Sequence, residues 1–181
     1  MKMHLLAVMG FMATVLAYAD AYETYVDDAR GVSIAHPSTW PRSVRGESLC
    51  FESPEGPTVS IRLQSMPAED SNYTSIYQIP GALDEMLTAA KALPGISDIT
   101  NGKTKLSSGD AYWIKYRMRY ESLGTIAMIY TYQVVTLTPR GLLYCTYMAS
   151  GQTDYDAQSI YDRVWPEASN IMRTLFVHKY P

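Results

Sequence analysis

Four side chains on one short stretch carry the chemistry this sequence offers most openly: Trp113, Lys115, Arg117 and Arg119. They alternate with Tyr112, Ile114, Tyr116, Met118 and Tyr120, so a strand here turns the two sets to opposite faces. Three cations on one face of one strand repel each other unless something negative answers them. In a chain of net charge -3 that row is a local field a partner can read. Three arrangements fit it: a binding surface, a solvent-facing strand whose neighbours carry compensating acids, and a face covered by a helix with the charges at its rim. Arg62 extends the patch if its strand lies alongside.

Other groups offer less. A Ser-His-Asp triad needs His36 or His178 as its base, but the sequence has no G-x-S-x-G elbow. Both histidines read as surface or capping residues. Asp154, Asp156 and Asp162 lie at or in the last helical pattern, and carboxylates near a helix start favour its dipole. No histidine or further oxygen ligand clusters near them in sequence, so no metal site is expected. Asp84 and Glu85 are adjacent on a helix and do not face a common point. Asp27-Asp28 reads as solvated. No cofactor is implied.

Lys2 and His4 precede an apolar run from Leu5 to Ala17, followed by Ala17-Tyr18-Ala19 and Ala19-Asp20-Ala21. This is the pattern of a secretory signal peptide, residues 1–21, with cleavage near Ala21. The run is short for a bilayer span, which needs about 20 residues; an uncleaved amino-terminal anchor is the alternative. Residues 22–181 then form a single domain, periplasmic or secreted, with no stable membrane span after cleavage. The pI near 5.6 argues against general nucleic-acid binding. An oxidising compartment allows a disulfide between Cys50 and Cys145, the two cysteines of the chain. It requires Cα atoms within about 7 Å; otherwise both are small buried apolar residues. Neither sits in a C-x-x-C motif, which disfavours a redox enzyme.

The elements that must position these groups are mostly strands. Tyr22 to Arg30 reads as a polar entry segment. Val32 and Ile34 mark a half-buried strand stopped by Pro37, and Trp40-Pro41 makes a turn. Leu49 and Phe51 mark a second strand. Val59, Ile61 and Leu63 mark a third, with Ser60, Arg62 and Gln64 on its wet face. Met66 to Ile79 reads as an irregular connection. A helix opens near Pro80, shows Leu83, Met86, Leu87, Ala90 and Leu93 on one face, and ends at Pro94-Gly95. Ile96 to Leu106 carries a short strand. A three-stranded antiparallel meander follows, running from the Trp113 strand through Thr125–Leu137 to Leu142–Ala149. Its middle strand is apolar on both rows and so central. A last helix starts at Thr153-Asp154, with Ile160, Val164, Ala168, Ile171, Met172 and Leu175 as its stripe. Pro166 inside it predicts a kink or two short helices end to end.

The opening Gly31-Val32-Ser33-Ile34-Ala35-His36-Pro37-Ser38-Thr39-Trp40 resembles the G-x-S-hydrophobic-x-x-P-x-x-W start of the PsbP-like superfamily, which includes the DcrB-like periplasmic proteins. The ending, Tyr161-Asp162-Arg163-Val164-Trp165-Pro166 to Ile171-Met172-Arg173-Thr174-Leu175-Phe176, is similar to that family's closing helix. The resemblance covers roughly Tyr25 to Val177. It implies an α+β fold, an antiparallel β-sheet packed between helices as an α/β/α sandwich. It implies non-catalytic accessory, binding or chaperone-like work, and it supplies no catalytic set. The metal-handling residues of the photosynthetic members do not map onto this chain.

The reading is an exported, non-enzymatic accessory protein. It recognises a protein or envelope partner through the sheet face that carries Trp113, Lys115, Arg117 and Arg119, with Arg62 beside them. Two alternatives stay open. One is a periplasmic immunity or inhibitor protein against a toxin or hydrolase. The other is a small-ligand carrier or weak hydrolase using a pocket between sheet and terminal helix.

Overall fold

Two-residue alternation governs most of the chain, and the structure turns it into one large sheet. The structure is a computed structural model and describes residues 21–56, 58–67 and 79–178. All but the last residue of the expected signal peptide, residues 1–21, and most of the connection after Met66 lie outside the described residues. The first strands are β1 (Tyr22–Asp27), β2 (Val32–Pro37), β3 (Arg42–Arg45), β4 (Ser48–Glu52) and β5 (Val59–Pro67). Then come α1 (Ile79–Ala92), β6 (Ile96–Leu106), β7 (Gly109–Ser122), β8 (Thr125–Thr138) and β9 (Gly141–Gly151). The chain closes with α2 (Asp154–Arg173) and β10 (Phe176–Val177).

Seven strands pair antiparallel in the order β3-β4-β5-β9-β8-β7-β6. Register carries rows of side chains straight across. Ile61, Tyr147, Tyr132 and Lys115 lie opposite one another in sequence, as do Leu63, Cys145, Val134, Trp113 and Gly102. Both rows face α2. Its buried residues Ala157, Tyr161, Val164, Ala168, Ile171 and Met172 recur at helical spacing and close the main core over them. The other face meets α1, where Ile79 and Met86 pack on Val135 and Leu142. The fold is therefore α+β, with the sheet between two helices.

A second sheet, β1-β2-β10, holds the far end of α2. Thr174, the C-cap of α2, gives its hydroxyl to the Ala35 carbonyl at 3.0 Å and accepts the Ala35 N–H at 2.8 Å. Trp40 is wholly buried and donates its indole N–H to Glu167 on α2 at 3.0 Å. The Gly31–Trp40 stretch thus braces the terminal helix.

Three strands differ from the sequence expectation. β1 was expected as a polar entry segment, yet all six of its residues pair with β2. β3 and β10 carry no expected signal at all. All three are short or largely exposed edge pieces, held by backbone pairing rather than by an apolar row. Asp27, expected to be solvated, is buried and paired with Arg30 at 2.6 Å. At Pro166 no break occurs, and α2 runs through it as one helix. Proline removes the hydrogen bond to the carbonyl four residues earlier. Here that carbonyl belongs to exposed Asp162, and Pro166 is itself exposed, so water can take the place of the lost donor.

Candidate functional site

The alternation of β7 brings Trp113, Lys115, Arg117 and Arg119 onto the α2 face, graded from core to solvent. Trp113 stacks on Tyr132, centroids 5.5 Å apart and planes 24° from parallel. Lys115 places its ammonium 4.9 Å from the ring centre of Tyr161, a residue of α2. Arg117 donates through Nε to Ser97 Oγ at 2.8 Å and through Nη1 to Asp154 Oδ2 at 2.9 Å, and it also pairs with Asp98. Arg119 sits 3.3 Å from Glu121 on its own strand, and both are more than half exposed.

The helix α2 covers the inner end of this face and the charges emerge at its rim, where acids from neighbouring elements answer Arg117. Two acids answer Arg117, and neither was assigned to it in the sequence reading. Asp98 comes from a β-bulge between Ser97 and Thr100, where its φ of 53° turns it out of the ladder. Asp154 comes from the first turn of α2 and also accepts the Tyr130 hydroxyl at 3.2 Å. The Tyr130 hydroxyl, then Asp154 and Asp98, raise the Arg117 pKa above its ordinary value. Lys115 has no carboxylate partner among the described residues; its charge rests on a ring face instead.

Behind the rim lies a continuous set of rings. Tyr132 meets Trp165 edge-on at 4.7 Å, Trp165 lies parallel to Tyr161 at 5.7 Å, and Tyr161 contacts Tyr147 at 4.9 Å. The Tyr147 hydroxyl donates to the Tyr161 carbonyl at 3.0 Å. Burial pushes the phenols of Tyr147 and Tyr161 well above the ordinary tyrosine range. Between the rings, α2 and β6 a hollow of about 50 Å³ remains, lined by Tyr132, Val134, Trp165, Met172, Thr104 and Arg173 among others. The sequence reading missed Tyr161 and Trp165 as site residues. Their signal is helical spacing: Ala157, Tyr161, Val164 and Ala168 share the buried face, and Trp165 follows Tyr161 by four residues.

Arg62 is a correction. Its row runs Cys50, Arg62, Thr146, Gln133, Ile114, which is the α1 face of the sheet. It therefore cannot extend a patch on the α2 face. Its Nε is buried without a hydrogen-bond partner among the described residues.

The disulfide is a second correction. Cys50 and Cys145 are both buried and free. Cys50 lies opposite Arg62 on one face, Cys145 opposite Leu63 on the other, and β5 separates their strands. Two strand spacings of about 4.8 Å and opposed Cβ directions exceed disulfide geometry. His36, expected at the surface, is buried against Phe51, ring centres 4.6 Å apart. Among the described residues no group of three or more His, Cys, Asp or Glu side chains could hold a metal ion.

No protein-family model matches the chain, and no curated protein matches it. Solved structures do. Cyanobacterial PsbP (CyanoP) from Synechocystis is 12% identical over 97% of this chain and 98% of that one, with a TM-score of 0.50. The fold is PsbP-like. A crystal structure from Bacteroides thetaiotaomicron is 17% identical over 87% of this chain, with a TM-score of 0.51, and this chain spans 50% of that protein's length. LpqN of Mycobacterium tuberculosis, involved in cell envelope biogenesis, is 13% identical over 90% of this chain and 88% of that one. Its TM-score of 0.43 is too loose a likeness to bear on function. Among the described residues no helix is long and apolar enough to cross a membrane.

Proposed function

We propose that this protein is an exported, non-enzymatic accessory protein that recognises a protein partner of the cell envelope. The surface is the rim of the α2 face, made by Lys115 and Arg119 with Trp113 behind them. One observation carries this reading. Arg117, in the middle of the row, is neutralised by Asp98 and Asp154, while Lys115 is left without an acid and Arg119 has only its own-strand neighbour Glu121. A row needed only for folding would be answered along its length. The leader pattern supports export.

The ligand-carrier reading finds less support at the hollow beside α2. Ligand pockets usually hold about 300–1,000 Å³, and this hollow of about 50 Å³ admits one side chain at most. The test is charge reversal, Lys115→Glu with Arg119→Glu, in a partner cross-linking assay. Retained cross-linking removes this rim as the surface.

A further inference from the structure

β6 ends the large sheet, and among the described residues no strand pairs with its outer edge. An edge strand presents alternate N–H and C=O groups outward, ready to pair with another strand. Here the edge is long, from Ile96 to Leu106, and its two faces differ.

On the α2 face Gly102 leaves room for a ring. A Cβ there would lie 2.9 Å from the Trp113 indole, so the indole folds over the glycine toward the edge. Next along that face Thr104 and Leu106 border the small hollow whose far wall is Trp165, Met172 and Arg173 of α2. On the opposite face stand Lys103 and Lys105, register partners of Tyr112 and Asp110, over an open hollow of about 310 Å³. Lys103 lies 5.6 Å from the Tyr112 ring centre. None of Lys103, Lys105 and Arg173 is ion-paired among the described residues, and Asp110 is the one acid that lines either hollow.

We infer that β6 is the docking edge for an extended segment of a partner protein, whose acidic side chains alternate with apolar ones. Strand addition supplies main-chain hydrogen bonds, and pockets for alternate side chains supply specificity. One apolar residue of the segment enters the hollow beside Trp165. Its acidic residues, on the other face, meet Lys103 and Lys105. The size of the hollow fits one side chain per partner strand. The charge selects the occupant: a second copy of β6 would set lysines near lysines, whereas an acidic strand answers them. The bulge between Ser97 and Thr100 interrupts the regular ladder, so the unbroken stretch offered for docking is Thr100–Leu106. This inference rests on the binding-protein reading and names the partner's chemistry.

The probe is a short fluorescein-labelled peptide of alternating Glu and Val, titrated into the protein expressed from its full chain and followed by anisotropy. Saturable binding is expected, together with slowed amide exchange in Thr100–Leu106. The double variant Lys103→Glu, Lys105→Glu should weaken binding by about tenfold or more. Both lysines are exposed and unpaired, so this variant keeps the fold. Thr104→Trp, which fills the hollow, should also weaken it. Absence of binding, equal affinity for a Lys/Val peptide, or protection appearing at β3 instead of β6 overturns the inference. A cellular partner lost on charge reversal at Lys115 and Arg119 but kept by Lys103→Glu, Lys105→Glu would leave the binding reading standing and remove this edge from it.

Discussion

Arg117 of β7 and Asp154 of α2 meet at 2.9 Å, and this contact ties the start of the terminal helix to the strand next to the β6 edge of the sheet. Asp154 accepts from the guanidinium and the Tyr130 hydroxyl, and it lies in the first turn of α2, where the helix dipole favours a negative charge. Asp154→Ala should therefore cost about 1 kcal/mol, from the lost dipole interaction and hydrogen bonding. Urea unfolding of variant and parent checks it. Asp154→Asn should recover part of the loss, because it keeps an acceptor without the charge.

Alkaline pH should destabilise the protein. Burial pushes the Cys145 thiol up from its ordinary value of 9.0 to about 12. Below pH 9 the folded and unfolded chains both keep this proton, and the stability is fully present. Between pH 9 and 12 the unfolded chain gives it up while the folded chain holds it, so stability falls as pH rises. The slope from this group approaches about 1.4 kcal/mol per pH unit. Buried Tyr147 and Tyr161 add the same sign of dependence from about pH 10. Unfolding midpoints measured from pH 7 to 11 should be level to pH 9 and then drop, with Cys145→Val removing the earliest part of the decline.

Both thiols should be silent in the native protein. Without any reductant, an aromatic disulfide reagent should detect no thiol in the folded state and both Cys50 and Cys145 after denaturation, since both are buried and free. Finding none after denaturation would mean a bridge exists and the placement of β4 and β9 on opposite sides of β5 is wrong.

The tip of the β7–β8 hairpin stores strain. Leu123 has φ 50° and Gly124 φ 76°, the pair of left-handed residues a two-residue hairpin turn needs. Leucine pays a steric penalty there that asparagine largely avoids, and Leu123 is fully exposed, so no packing offsets it. Leu123→Asn should raise stability by about 0.5–1 kcal/mol. A thermal melt checks it, and an unchanged or lower Tm would show that the leucine side chain makes a contact of its own.

Much of this was legible in the chain. The two rows of β7, the two apolar rows of β8 and the Thr153-capped terminal helix follow from period alone, because burial imposes the period. The opening motif marked the strand that braces α2, through Thr174 on Ala35 and Trp40 on Glu167. The site was legible only in part. Alternation places Lys115 and Arg117 on one face, but it cannot say that Asp98, far off in sequence, is swung beneath Arg117 by a bulge. Nor can it say which strand lies beside which: Arg62 and Cys50 fall on the α1 face because β4 and β5 enter the sheet in that register. The edge pieces β1, β3 and β10 bury little and so leave no apolar pattern to read.

The most direct measurement is site-specific photo-cross-linking in living cells, with the photoreactive residue replacing Arg119 at the rim and, separately, Thr88 on the exposed side of α1. The binding-rim reading predicts a discrete protein adduct from position 119, lost when Lys115→Glu is added, and none from position 88. No adduct from position 119, or the same adduct from both positions, would contradict it.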